Sequence, residues 1–148
     1  GVLTLSEKYP GDHRMMPPDD VDLSRFGDQL GRKIETVKTM RLDDLDPEVI
    51  ASVGYLWIDA QGHETQILRG ASKILARKIP ILMEFSPYHL RCQGGLNDLF
   101  EIAGRSFTSF IDMGAGKDRT SRPVTDLAKL AVAYDRDSPH YFTDILLF

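Results

Sequence analysis

Cysteine is nearly absent from this chain: Cys92 is the only one in 148 residues. A single cysteine excludes an internal disulfide framework and fits a reducing, cytoplasmic setting. No apolar run approaches the roughly 20 residues needed to cross a bilayer, and the N-terminus lacks the layout of a signal peptide. No basic block is present either. The 18 Lys and Arg against 22 Asp and Glu give a formal net charge of −4, without the electrostatic footprint of a nucleic-acid-binding protein. Internal repeats and low-complexity tracts are missing too. What remains, 42% apolar and 27% charged residues, is the composition of a soluble globular protein, and the length bounds it to one domain.

The first 33 residues are the least regular. Val2-Leu3-Thr4-Leu5 reads as the end of a strand, while Pro10-Gly11, Pro17-Pro18 and Asp19-Asp20 are turn chemistry. Ile34 to Met40 alternates with period two, the pattern of a half-exposed strand. Leu42 to Ile50 is short and acidic, one or two helical turns started near Asp46-Pro47. From there strands and helices alternate. Tyr55 to Ile58 is apolar on both faces, which predicts a strand buried in a mostly parallel sheet. Ile67, Leu68, Ala71, Ile74 and Leu75 recur at helical spacing between Glu64 and Arg77, with acid at the start and base at the end. Pro80 ends that helix, and Ile81 to Phe85 gives the next buried strand of a right-handed βαβ crossover. Gly94-Gly95 precedes a helix carrying Leu96, Leu99, Phe100 and Ala103. Phe107 to Ile111 reads as a strand, Val124 to Ala133 as a helix and Tyr141 to Phe148 as a closing strand. The expected class is α/β, helices over a largely parallel sheet, in a single domain spanning residues 1–148.

The segment from 53 to 87 is the site-building one. It places Asp59 and Glu84 beyond the carboxyl ends of neighbouring strands, where open α/β sheets bind their ligands. Asp59 reads either as a site carboxylate or as the cap of the following helix, with Gly62 allowing the turn. Glu84 interrupts an apolar strand, so it is either substrate-facing or paired with Arg91 or Arg14. His63 is a general base or a solvated first-turn residue. Glu64 lines the site or complements the helix dipole. Asp12, His13 and Arg14 form a polar cluster suited to an acceptor or to a cofactor's carboxylate. His89 and His140 read as surface residues, and Cys92 lacks a thiolate-stabilising pattern. Gly114-Ala115-Gly116-Lys117 lacks P-loop spacing and reads as a surface loop.

Trp57 to Glu64, with Ile67-Leu68-Arg69-Gly70-Ala71 behind it, resembles the signature of the FkbM family of S-adenosylmethionine-dependent methyltransferases. Gly11-Asp12-His13-Arg14-Met15, Thr39 to Leu45 and Met83 to Arg91 resemble further motifs of that family in order and spacing, and Thr143 to Phe148 is similar to its closing strand. The resemblance implies a Rossmann-like class I methyltransferase sheet with helices on both faces. It implies S-adenosylmethionine as cofactor and O-methylation of a hydroxyl on a sugar, glycan or small metabolite. Catalytic roles would fall to Asp59, His63 and Glu84, substrate contacts to Gln61, Glu64, His13 and Arg14, and cofactor contacts to Asp12 and Asp59. No metal is expected, because Gln61 stands where the family more often has a glutamate and hard cations prefer several carboxylates.

The family's first strand ends in a glycine-rich turn and its second in an acidic residue, and neither is evident before residue 53. The expectation is therefore a carboxyl-terminal portion of the domain, lacking the first strands. The strand at Tyr55 to Ile58 would then keep an exposed edge that invites self-association. The alternative, if Gly1 is the natural start, is a non-catalytic methyltransferase-like module that binds a carbohydrate or a protein.

Overall fold

The computed structural model describes residues 1–6, 12–17, 19, 32–114, 116, 118–136 and 138–148. Of the residues singled out above, Pro10, Gly11, Pro18, Asp20, Ala115 and Lys117 lie outside them. Two sheets form. In the smaller, β1 (Val2–Leu5) lies between β2 (Arg14–Met15) and β3 (Lys33–Thr36), antiparallel to both. β3 stops short of Met40 and is exposed throughout.

The larger sheet comprises β4 (Leu56–Ile58), β5 (Ile81–Phe85), β6 (Ser109–Asp112), β7 (Arg122–Pro123) and β8 (Thr143–Leu147), in the order β4-β5-β8-β6-β7. β4 and β5 are parallel, and β8 runs antiparallel between β5 and β6. The sheet is thus mixed: β4, β5 and β6 point one way, and the closing strand is threaded between them in reverse.

Alternation gives this sheet two unlike faces. Ile58, Ile81, Met83, Phe85, Phe110, Ile145 and Leu147 point to one face and form the core with Leu68, Leu90, Leu99 and Leu127 from the flanking helices. The other face carries Leu82, Ile111 and Leu146, all part-exposed, and Trp57, which is 68% exposed. The strand expected to be buried on both faces is therefore buried on one. Among the described residues β4 is the sheet edge, with β5 as its only neighbour.

Asp46 starts α1 (Pro47–Ser52) by accepting from Glu48 N, as its Asp-Pro pair predicts. The helix expected from Glu64 to Arg77 is two, α2 (Glu64–Arg69) and α3 (Ser72–Leu75). Asp43, in a 3-10 turn at Leu42–Asp44, divides them. Its backbone N–H donates to the Gly70 carbonyl, and its carboxylate accepts from Ser72 N, Ser72 Oγ and Lys73 N. α4 (Pro87–Cys92) follows β5 at once, then α5 (Leu96–Ser106) and α6 (Leu127–Tyr134). Among the described residues no helix is long and apolar enough to cross a membrane.

Candidate functional site

The turn leaving β4 is built around Glu64. His63 N closes it onto the Ala60 carbonyl at 3.1 Å, with Gln61 and Gly62 both at positive φ (51° and 98°). A Cβ on Gly62 would lie 2.4 Å from the His89 carbonyl oxygen, so only glycine lets the turn pack on α4. No side chain caps α2 from His63. Instead Glu64 Oε1 accepts from Ala60 N (2.9 Å) and Gly62 N (3.2 Å). Glu64 thus ties the turn together, α2 has no side-chain cap, and Asp59 stays exposed, its Oδ1 accepting from Gln61 Nε2 at 2.9 Å.

Glu64 is 1% exposed, and this burial pushes its carboxyl up to about 7. The backbone N–H donors pull against that, and the charge of Glu84 adds to it. His63 is half-buried; burial holds its imidazole below the ordinary value, opposed by the adjacent Gln93 side chain, so the ring is neutral at pH 7. Its Nδ1 has no hydrogen-bond partner.

At the carboxyl end of the sheet the carboxylates form a row. Ile58 is registered with Met83 on β5, so Asp59 follows beside Glu84, and Glu84 is registered with Asp144 on β8. All three belong to the half-exposed face. Burial, then the charges of Glu84 and Asp59, hold the Asp144 carboxyl above the usual aspartate range. Like charges placed directly across strands repel, so the row costs stability and concentrates negative potential at one spot.

Glu84 is 6% exposed and pairs with neither arginine foreseen for it. Arg91 meets Asp135 at 2.6 Å, and Arg14 meets Asp12 at 2.6 Å. Its neighbour is His89, whose Nδ1 stands 3.9 Å from Glu84 Oε2. His89 is not the surface residue its sequence context predicts: it is 4% exposed, because α4 turns back over the end of β5. His140 is exposed.

The early cluster is held apart in its own network. The Asp12 carboxylate is taken by Arg14 and, at 2.5 Å, by Arg32, while the exposed His13 accepts from Ser6 N at 3.2 Å. Gln93 links this region to the turn, donating to the Met15 carbonyl at 2.7 Å while lying beside His63. At the end of β6, Asp112 Oδ1 accepts from Thr143 Oγ1 (2.6 Å) and Gly114 N (3.1 Å) and its Oδ2 from Tyr134 Oη (3.4 Å), with Arg122 at 3.7 Å, which makes that carboxylate structural.

Sequence reasoning missed His89, Asp144 and Gln93. Asp144 had a local signal, an acid at the start of an apolar strand. His89 had one too, a Ser-Pro helix start directly after the strand that carries Glu84.

The sequence model of the methyltransferase FkbM domain matches residues 5–124. Comparison with curated proteins and with solved structures found no match. The match spans the acidic turn, β4, β5 and the helices between them, and ends before β8, which carries Asp144. This chain belongs to the FkbM methyltransferase family.

Proposed function

We propose that the chain binds the acceptor for an S-adenosylmethionine-dependent O-methyltransferase acting on a hydroxyl of a sugar, glycan or small metabolite. The observation that carries this reading is the row Asp59-Glu84-Asp144 on the open face of the sheet, beside a neutral His63. S-adenosylmethionine, when bound, supplies an electrophilic methyl group on a sulfonium cation. The anionic row fits that charge. The glycines that end β4 and β6 offer no open backbone cradle for its nucleoside: a Cβ at Gly62 would strike His89, and one at Gly114 would lie 2.8 Å from Thr143 Oγ1. Asp12, expected to contact the cofactor, already holds two guanidinium groups.

On the acceptor side, Asp59 is exposed and its carboxylate is oriented by Gln61. It accepts a hydrogen bond from the acceptor hydroxyl and fixes that oxygen for in-line attack. Glu84, next in the row, takes the proton on the side of its carboxylate that faces the open end of the sheet. Glu64 supports the turn that aims them. A cytoplasmic location accompanies this reading and rests on the single cysteine.

The test is methyl transfer from labelled S-adenosylmethionine to a panel of hydroxylated sugars and small alcohols, with cofactor binding followed by calorimetry. Asp59→Ala should lower kcat roughly 10²-fold or more without lowering the melting temperature. Full activity in that variant removes Asp59 from the site. Absence of both binding and transfer overturns the enzyme reading in favour of a binding module, which the closed turns at Gly62 and Gly114 favour.

A further inference from the structure

His89 is used neither by the turn nor by the acidic row, yet it is wedged against both. It is 4% exposed, and neither ring nitrogen makes a hydrogen bond among the described residues. Its Nδ1 lies 3.9 Å from Glu84 Oε2, which is also unbonded. Buried polar atoms are ordinarily paired, and three unpaired ones from two facing side chains call for an explanation.

The placement is built in. Ser86 Oγ accepts from His89 N at 3.3 Å and Pro87 opens α4, which carries His89 back over Glu84. Gly62 lets the turn backbone close on the His89 main chain. The Tyr88 ring meets the imidazole edge-on, with centroids 5.5 Å apart. Among the described residues the acid against the imidazole is Glu84 from β5, whose charge also acts on Glu64 at the start of α2 and on Asp144 of β8, which Asp59 adjoins; the other titratable group in contact with the ring is Tyr88.

We propose that His89 is a positioning residue for Glu84, taking over the proton that Glu84 receives from the acceptor hydroxyl; this rests on the proposed methyltransferase reading. The acceptor O–H bond breaks as the proton moves to the Glu84 carboxylate on its open side. Rotation of that carboxyl and closure of the 3.9 Å gap then let the Glu84 O–H bond break as an N–H bond forms at His89 Nδ1, leaving a carboxylate beside an imidazolium. Glu84 is thereby returned to its proton-accepting form within the turnover, and the proton later leaves to solvent.

The experiment is a pH titration by NMR of the His89 ring nitrogens and the Glu84 carboxyl carbon in this chain. The two signals should move over one common pH range. Glu84→Gln should lower the His89 midpoint by roughly one pH unit or more, and by more than Asp59→Asn does. Independent titration, or equal effects of the two substitutions, overturns the relay, and neither result requires methyl transfer. In the transfer assay His89→Asn should lower kcat roughly 10²-fold and displace the acid limb of its pH profile while KM holds. An unchanged pH profile in that variant also overturns it. Coupled titration in a chain that transfers no methyl group fails the proposed function. Uncoupled titration in an active chain fails the relay alone.

Discussion

Glu64 and Asp43 are both buried carboxylates, and their surroundings send them in opposite directions. For Asp43, burial alone would raise the carboxyl, but the donors Ser72 Oγ, Lys73 N and Ser72 N outweigh it and leave it below the usual range. For Glu64, burial outweighs the backbone donors and the carboxyl rises from 4.5 to about 7. A folded-state value above the unfolded one means that the native state binds more protons between those limits. Stability from this group is then complete below about pH 4.5 and is lost as pH rises through about 7. The loss is on the order of 3 kcal/mol. Glu64→Gln keeps an acceptor for Ala60 and Gly62 but cannot ionise. Its stability relative to the wild type should therefore climb between pH 4 and 8, roughly in step with that figure. Urea unfolding at a series of pH values measures the difference, and a flat one would show that Glu64 stays ionised and solvated.

At the scale of the element, the decisive piece is the junction of α2 and α3. Hydrophobic spacing from Ile67 to Leu75 supports one continuous helix, and local pattern contains nothing to break it except Gly70. The break comes from Asp43, 29 residues before Ser72, which takes the first N–H groups of α3. The Leu-Asp-Asp-Leu segment is thus a helix start supplied from a distance, and its second acid, Asp44, pairs with Arg41. Asp43→Ala should cost about 2–3 kcal/mol, because a charged acceptor is removed from several donors at once. Asp43→Asn should recover part of it. Because the Asp43 carboxyl is held low, its contribution is present above the usual aspartate range and fades as pH falls through its folded value. A denaturation midpoint for Asp43→Ala equal to wild type would show that α3 starts without this cap.

At the scale of the whole molecule, the two sheets differ in how well they are buried. β5 and β8 carry Ile81, Met83, Phe85, Ile145 and Leu147 at 0% exposure, whereas β3 is exposed along its length. Opening free energy follows burial and local contact density. Native-state hydrogen exchange should therefore find the amides of β1 and β3 opening well below the global unfolding free energy, and those of β5 and β8 only with it. Equal protection in both sheets would make the chain one cooperative unit. The exposed Trp57 on the β4 edge belongs to this scale too: it is the feature that the expected self-association requires.

The sequence by itself determined what is local. Alternating strands and helices, the Asp-Pro start of α1, and the β4-turn-helix-β5 unit with Asp59, Gln61, His63, Glu64 and Glu84 at its carboxyl end all follow from period and turn chemistry acting over a few residues. Four ordered motifs then pointed to the family. Tertiary structure decided what depends on partners distant in the chain. It tied the turn to Glu64 and left Asp59 exposed. It set Asp144 across from Glu84 by threading the last strand in reverse, and it buried His89 by folding α4 over β5. It also left Trp57 at an edge. Register, burial and charge pairing arise only between segments that folding brings together, and no window along the chain contains both sides of such a contact.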